Sequence, residues 1–248
     1  VSNVWQNIYH NPHFTLTGTT DNDGSGIKGY FVYFGTDSNG TVNTDNESEN
    51  FYTTAEFNPA GFTTTDIRYL RVLAKDEAGN LATVWQTVFI HKYDIDAPSA
   101  PVASWVVPTP VNPANIWIRN NNFDFEWTAP ADWPVSPQSG VKNYTYSSSV
   151  ETNPATPITT ALREGNFALS LLSGGVYNFL VKANDLAGNQ SVEGVAPYRF
   201  DNHAPAAVVA NTVLETHGAQ SGVWNNIDNP VFSWGAVSEP DTGATESG

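Results

Sequence analysis

Cysteine and methionine are both absent from the 248 residues of this chain. The lack of cysteine excludes disulfides, thiolate metal ligands and thiol nucleophiles. Small secreted animal domains commonly contain disulfides, so a cysteine-free chain rich in Thr, Asn, Ser and Gly fits a bacterial or archaeal exterior better. Methionine is missing even at position 1, and we therefore expect the chain to be a segment of a longer, processed polypeptide.

Basic residues are scarce. The chain has 10 Lys and Arg against 25 Asp and Glu, which gives a formal net charge of −15. This charge repels phosphate backbones, so nucleic acid is not an expected partner, whereas solubility, cation binding or a salty exterior suit it. No apolar run approaches the roughly 18 residues of a transmembrane helix, and nothing at the N-terminus resembles a signal peptide. We expect no membrane span in this segment.

The chain does contain an internal repeat. Residues 67–80 and 177–189 both end in the turn sequence D-x-A-G-N, and their alignment places the two copies about 110 residues apart. In each copy small or apolar residues alternate with polar ones, which is the period-2 pattern of a half-buried strand. The Asp, Gly and Asn that follow favour a turn. This spacing matches one β-sandwich domain and is far too long for a solenoid unit.

A second repeated segment begins with tryptophan and occurs three times, from Trp5, Trp117 and Trp224. We expect these residues, together with the later Trp127 and Trp234, to pack in cores or between strands. Three further tryptophans do not repeat, and they can either pack against a neighbouring domain or stack on a sugar ring. These are Trp85, Trp105 and Trp133.

Several of these segments resemble fibronectin type III and related bacterial Ig-like domains. YLRVLAKDEAGN and YNFLVKANDLAGN resemble the penultimate strand and the turn after it, FEWTAP (125–130) resembles the second strand, and SGIKGYFVYFG (25–35) and SGVKNYTYSS (139–148) resemble the third. The resemblance implies the fold and says little about activity, because this fold carries many functions. Tyr177 matches the corner tyrosine of the family, whereas the first copy has Arg68 there and Tyr69 one position away.

The repeats predict an all-β chain of tandem Ig-like or fibronectin type III-like β-sandwich domains. Pro98 aligns with Pro205, so we predict a first sandwich at residues 1–97 that lacks its N-terminal strand, a second at 98–205, and an incomplete third at 206–248. Short proline-containing links favour a semi-rigid rod. Two strands cannot bury a sandwich core alone, so we expect chain beyond position 248, or alternatively a neighbouring subunit, to complete the third repeat.

Calcium is the one cofactor that the sequence suggests, and the first candidate is a loop. Asp21, Asp23 and Ser25 match the first, third and fifth positions of a calcium loop, and Gly26 matches the sixth. The twelfth position is Val32, where a bidentate Glu is needed. A solvated acidic turn is therefore the alternative interpretation.

The second calcium candidate is the joint beside Pro98. Asp94 and Asp96 lie there, and the turn that bears Asp76 is expected at one end of its sandwich, near the loops of a neighbour. Acidic residues at such joints can coordinate calcium and stiffen a rod, or they can simply cap turns. Asp185 and Asp201 are the partial equivalents in the second repeat.

Other candidate sites carry weaker signals. His10 and His13 have no evident third metal ligand, and His91 is isolated, so we predict a surface position for it. No G-x-S-x-G motif occurs and no group of catalytic residue types recurs, so we do not expect an enzyme. Four N-x-S/T triplets permit N-glycosylation on an exterior protein. They begin at Asn39, Asn46, Asn143 and Asn189.

Together these features favour a non-catalytic structural or adhesive segment of an extracellular, cell-surface assembly protein, such as a surface layer, sheath, stalk or filament. The expected partners are neighbouring copies of the chain or other surface proteins, with glycans a further candidate. The alternative is a spacer or carbohydrate-binding accessory module of a secreted polysaccharide-degrading enzyme. Two observations would separate these interpretations. A change of tryptophan fluorescence on addition of glycans would favour the accessory module, and many more copies of the repeat in the full-length chain would favour the structural segment.

Overall fold

The structure is a computed structural model, and it describes residues 1–22, 24–106, 116–119, 122–132, 137–149, 158–168, 174–207, 214–217, 222–224 and 226–235. The described residues form 17 strands and no helix. In that part of the chain there is accordingly no helix with the length and apolarity needed to cross a membrane. In chain order the strands are β1 (Trp5–Gln6), β2 (Phe14–Thr15), β3 (Ile27–Gly35), β4 (Phe51–Tyr52), β5 (Glu56–Phe57), β6 (Asp66–Asp76), β7 (Gln86–Tyr93), β8 (Ala103–Val106), β9 (Trp117–Ile118), β10 (Asn122–Trp127), β11 (Val141–Ser149), β12 (Ile158–Thr160), β13 (Glu164–Ala168), β14 (Gly175–Asp185), β15 (Gly194–Phe200), β16 (Leu214–Glu215) and β17 (Phe232–Ser233).

The first sandwich comprises β1 to β7. One sheet has the order β1-β7-β6-β3-β4, and the facing sheet is the pair β2-β5. Strands β3, β6 and β7 pair antiparallel, while β1 runs parallel to β7. Apolar side chains from both sheets meet in one core, as expected for a sandwich with alternating inward-facing residues. That core comprises Phe14, Leu16, Val32, Phe57 and Leu70.

The second sandwich comprises β8 to β15 and repeats this plan. One sheet has the order β12-β11-β14-β15-β9, and the facing sheet has the order β13-β10-β8. Each strand of the larger sheet occupies the position of a strand in the first sandwich, including the edge strand β9, which runs parallel to β15 as β1 runs parallel to β7. Phe125 stacks on Phe179 across the two sheets at 3.9 Å between ring centroids. The chain is therefore an all-β array of Ig-like or fibronectin type III-like sandwiches.

Strand β14 shows why the sequence pattern predicts this fold well. Its residues alternate between buried and less buried along the whole strand, and Phe179, Val181 and Ala183 face the core. Successive side chains of a strand point to opposite faces, so the period-2 sequence pattern becomes a period-2 burial pattern. The predicted strand and turn are both present.

Six of the eight tryptophans fall into three groups. Trp127 lies in the second core, and Trp105 packs beneath it, 4.0 Å from the ring of Phe125. Trp5 and Trp117 are half-buried on the edge strands, each with a cationic side chain over its ring: Lys92 at 5.6 Å and Arg199 at 6.0 Å.

The tryptophans of the third repeat differ from the expectation. Trp224 and Trp234 are exposed, with 102% and 65% of their surface accessible. The described part of this repeat is a short pairing of β16 with β17, which has no facing sheet among the described residues. Trp133 lies outside the described residues.

The surface position predicted for His91 is wrong. Only 6% of its surface is exposed, and its ring lies 5.3 Å from Phe62 and 6.3 Å from Tyr93. Its Nε2 contacts the carbonyl oxygen of Tyr9 at 2.9 Å. His91 is on the same face of β7 as Phe89 and Tyr93, and the strand alternation places it in the first sandwich's interior.

Candidate cation site at the joint of the first two sandwiches

The joint between the sandwiches begins where β7 ends. The backbone N–H of Asp94 donates to the carbonyl of Gln6 at 3.1 Å, which extends the pairing of β1 with β7 by one bond. Pro98 and Pro101 are both buried. A Cβ on Gly194, the first residue of β15, would collide with the carbonyl of Pro101, so the joint lies directly against the second sandwich. The linking segment is therefore packed at Pro98 and Pro101, while Ile95, Ser99 and Val102 are exposed.

The D-x-A-G-N turn of the second sandwich is organised by Asp185. One carboxylate oxygen accepts the backbone N–H groups of Gly188 and Asn189 at 2.6 and 2.7 Å, and the other accepts the Asn189 amide at 2.7 Å. Gly188 has φ of 102°, a left-handed conformation that glycine adopts without a steric penalty. Asp76 and Asn80 make the corresponding bonds in the first sandwich, at 2.7 and 2.8 Å. The repeated sequence thus forms the same turn twice.

A second acidic loop lies beside this turn. Oδ2 of Asp132 accepts the backbone N–H of Gly140, and the Leu186 N–H donates to the carbonyl of Gly140 at 2.9 Å. These bonds attach the loop before β11 to the turn after β14. The first sandwich has the same arrangement, in which Asp21 accepts the N–H of Gly26 at 2.8 Å.

Asp94 reaches from the first sandwich into these two elements of the second. Its Oδ2 accepts the backbone N–H of Ser139 at 2.9 Å in a buried hydrogen bond. The Asn189 amide donates to the carbonyl of Asp94 at 2.9 Å and lies 3.3 Å from that of Asp96. Asn7 of the first sandwich donates to Oδ1 of Asn189 at 2.9 Å. Hydrogen bonds therefore cross the joint in both directions.

Three carboxylates meet at this point. Asp94, Asp132 and Asp185 each have one oxygen within 4.8 Å of an oxygen from the other two, and their exposed fractions are 1%, 7% and 1%. No Lys or Arg among the described residues forms an ion pair with them. At that distance two unit charges repel by about 3 kcal/mol for an effective dielectric constant of about 20. The cluster is a concentration of uncompensated negative charge.

Asp132 has the least complete environment of the three. Burial raises the pKa of its carboxyl, and the nearby charges of Asp94 and Asp185 raise the pKa further, while the Gly140 N–H acts in the opposite direction. Its Oδ1 is buried and has no hydrogen-bond donor. A buried polar atom without a partner is costly, and it indicates a ligand that completes the site. Because the set consists only of hard oxygen donors, it suits a hard divalent cation.

The sequence predicts part of this site. Asp94 belongs to the cluster. Asp96 lies next to it, with its Oδ2 2.5 Å from the Thr65 hydroxyl and its carbonyl near Asn189, but its carboxylate is outside the cluster. Asp185 is predicted only as a partial equivalent in the second repeat, and Asp132 is not predicted as a ligand. The available signal is their alignment with Asp21 and Asp76, through the shared Ser-Gly and D-x-A-G-N sequences.

The predicted calcium ligands Asp21, Ser25 and Asp76 lie at the opposite end of the first sandwich. Strand β6 runs from Asp66 beside the joint to Asp76, and a strand of this length spans roughly 33 Å. The Ser25 hydroxyl accepts the N–H of Ala78 at 3.0 Å, so the loop bearing Asp21 joins the Asp76 turn there. Asp23 lies outside the described residues.

The glycosylation triplets differ in their surroundings. Asn39 is exposed, Asn46 and Asn143 are half-buried, and Oδ1 of Asn143 accepts from Asn184 at 2.9 Å. The Asn189 amide is committed to the joint, and a glycan on it would disrupt those bonds. Glycosylation of these four positions stays a prediction.

No protein-family model and no curated protein matches this chain. Among solved structures it is similar to the FN1–FN3 domains of chicken CNTN1, with 13% identity over 81% of this chain and 66% of that one, and a TM-score of 0.37. It is also similar to fibronectin(III)-like modules of CbhA from Clostridium thermocellum (12% identity, 81% and 90% coverage, TM-score 0.34) and to domains A168–A170 of titin (15%, 76% and 66%, TM-score 0.41). The chain thus spans just under two thirds of the CNTN1 and titin structures. At these TM-scores the fold assignment rests on the strand order and packing described above.

Proposed function

We propose that this chain is a non-catalytic structural segment of an extracellular surface-assembly protein, in which consecutive sandwiches act as spacers of fixed orientation. The observation that carries the proposal is the hydrogen-bonded joint, where Asp94 and Asn189 connect the first two sandwiches through buried and half-buried bonds. Linked domains move relative to one another unless their interface holds them. A packed, proline-containing joint of this kind serves a spacer better than it serves a flexible tether.

The composition supports an exterior location and a supporting role. Cysteine is absent and the charge is −15, which suits a soluble acidic surface outside the cell. The one carboxylate cluster among the described residues is buried in the joint, where a substrate has no access to it. The large aromatic side chains of the first two sandwiches are mostly committed to their cores. Neighbouring copies of the chain, or other surface proteins, are the proposed partners.

Surface labelling together with a glycan titration tests this proposal. Antibodies raised against the purified chain should label intact cells of the source organism as strongly as permeabilised cells. Titration with soluble cellulose and xylan oligosaccharides should leave tryptophan fluorescence unchanged. Labelling restricted to permeabilised cells would contradict the extracellular role, and saturable fluorescence shifts would favour the accessory module of a polysaccharide-degrading enzyme instead.

A further inference from the structure

The carboxylate cluster at the joint calls for a ligand on two independent grounds. Three acidic groups lie within 4.8 Å of one another, and no cationic side chain of the described residues pairs with them. Separately, Oδ1 of Asp132 is buried with no hydrogen-bond donor, in a side chain that is only 7% exposed. The Ser139 N–H donates to Asp94 and the Gly140 N–H donates to the other oxygen of Asp132, so backbone hydrogen bonds hold both carboxylates in position.

We propose that Asp94, Asp132 and Asp185 bind one calcium ion that bridges the first two sandwiches. The proposal deepens the proposed spacer function and rests on it, because it names what stiffens the joint. Asp94 is contributed by the end of the first sandwich, whereas Asp132 and Asp185 are contributed by two loops of the second. The ion therefore has its full set of carboxylate ligands only when the two sandwiches are docked.

Calcium fits this ligand set better than other common cations. Each of the three carboxylates brings one oxygen to within 4.8 Å of the other two, and calcium, which accepts six to eight oxygen ligands in flexible geometry, tolerates such a set. Magnesium requires near-octahedral geometry and usually keeps several waters, which a buried cluster accommodates poorly. No thiolate exists in the chain and no imidazole is in the cluster, so softer metals have no preferred donor.

The first sandwich provides a matched control for this proposal. Asp21 and Asp76 occupy the positions of Asp132 and Asp185, and Asp21 makes the same hydrogen bond to a loop glycine. Among the described residues, which do not include Asp23, no counterpart of Asp94 is near them and no carboxylate cluster forms at that end. Asp21→Asn therefore removes the same charge from the same type of loop without touching the ligand set of the joint, and it tests separately the loop candidate that the sequence suggests.

Isothermal titration of calcium chloride into the full 248-residue chain, previously stripped with EDTA, tests the proposal. The wild type should bind one ion at the joint, and calcium should raise its melting temperature by about 5–10 °C at saturation. Asp132→Asn and Asp94→Asn should each weaken binding by roughly tenfold or more, because ligand charge sets calcium affinity. Asp21→Asn should bind the ion at the joint with the affinity of the wild type. Magnesium chloride is titrated in parallel.

Melting in EDTA separates lost ligation from lost folding. Asp132→Asn should melt there no lower than the wild type, because the amide keeps an acceptor for Gly140 and removes one repelling charge. Asp94→Asn changes a ligand from the other sandwich, so its calcium affinity and its melting temperature in EDTA test the same site independently. Four results would overturn the proposal. The wild type could fail to bind calcium or could bind magnesium alone. The two joint variants could bind calcium as tightly as the wild type, or Asp21→Asn could lose as much affinity as they do. Surface labelling is independent of these results, so failure of the spacer function and failure of the calcium site are distinguishable.

Discussion

His91 is buried in an environment that differs strongly from that of a solvated imidazole. Its ring lies among Phe34, Phe62, Phe89 and Tyr93, and burial lowers its pKa below the usual 6.5, with smaller contributions from Arg68 and the N-terminal charge. The unfolded chain therefore binds a proton more readily than the folded chain. The burial of neutral His91 therefore makes its full contribution to the stability of the fold above the unfolded pKa of about 6.5. That contribution is lost as the pH falls below this value.

Replacement of His91 by Gln tests this assignment. Gln keeps an N–H donor for the Tyr9 carbonyl but does not titrate, so the variant should lose less stability than the wild type between about pH 7.5 and pH 5.5. The measurement is the free energy of unfolding in urea at the two pH values. His10→Gln is the control, because it removes an exposed imidazole that lies outside the core. Equal pH dependence in His91→Gln and the wild type would contradict the account.

At the scale of strands and turns, the local signals predict most of what is observed. The alternation in β14 and the D-x-A-G-N sequence depend only on neighbouring residues, so the strand and its turn can be predicted directly. The burial of His91 can be predicted in the same way, because Phe89 and Tyr93 lie two residues before and two residues after it and therefore share its face of the strand. The parallel edge pairs β1-β7 and β9-β15 could not be predicted this way, because they join segments separated by most of a sandwich.

The candidate site is harder to predict for the same reason. Asp94 is close to Pro98 in sequence, and its place at a joint is a local inference. Asp132 and Asp185 lie far from it in the chain, and only the docking of the second sandwich brings their carboxylates near. The sequence shows that these residues occupy repeated positions, but the distances between them depend on the orientation of two domains.

Gly194 tests the packing of the joint against β15. A methyl group there would collide with the backbone carbonyl of Pro101, which cannot move aside as a flexible side chain can. Gly194→Ala should therefore destabilise the second sandwich by about 1–3 kcal/mol, the usual cost of overpacking. Urea unfolding with hydrogen exchange by mass spectrometry reports the loss and its location.

Gly174→Ala is the matched control for that variant. A Cβ at Gly174 meets its nearest neighbours at 3.5 Å, which is ordinary contact, so this change should be nearly neutral. Equal stability of Gly194→Ala and the wild type would show that the linking segment does not pack on β15.

At the scale of the whole molecule, the account depends on the two sandwiches sharing one orientation. Their cores are separate clusters of buried residues, so nothing in either core fixes the other. In the part of the chain that the structure describes, the joint sets the orientation, through the bonds of Asp94 and Asn189 and the buried prolines. A spacer needs this orientation to persist in solution.

Electron–electron distance measurement between spin labels tests this claim most directly, and the lack of native cysteine allows clean labelling. The pair Val88→Cys and Val195→Cys places one label on an exposed strand position of each sandwich, and Thr53→Cys with Val88→Cys is the control within one sandwich. At saturating calcium we expect a single distance distribution across the joint, no broader than that of the control pair. A broad or multimodal distribution across the joint, with a narrow control, would contradict the account.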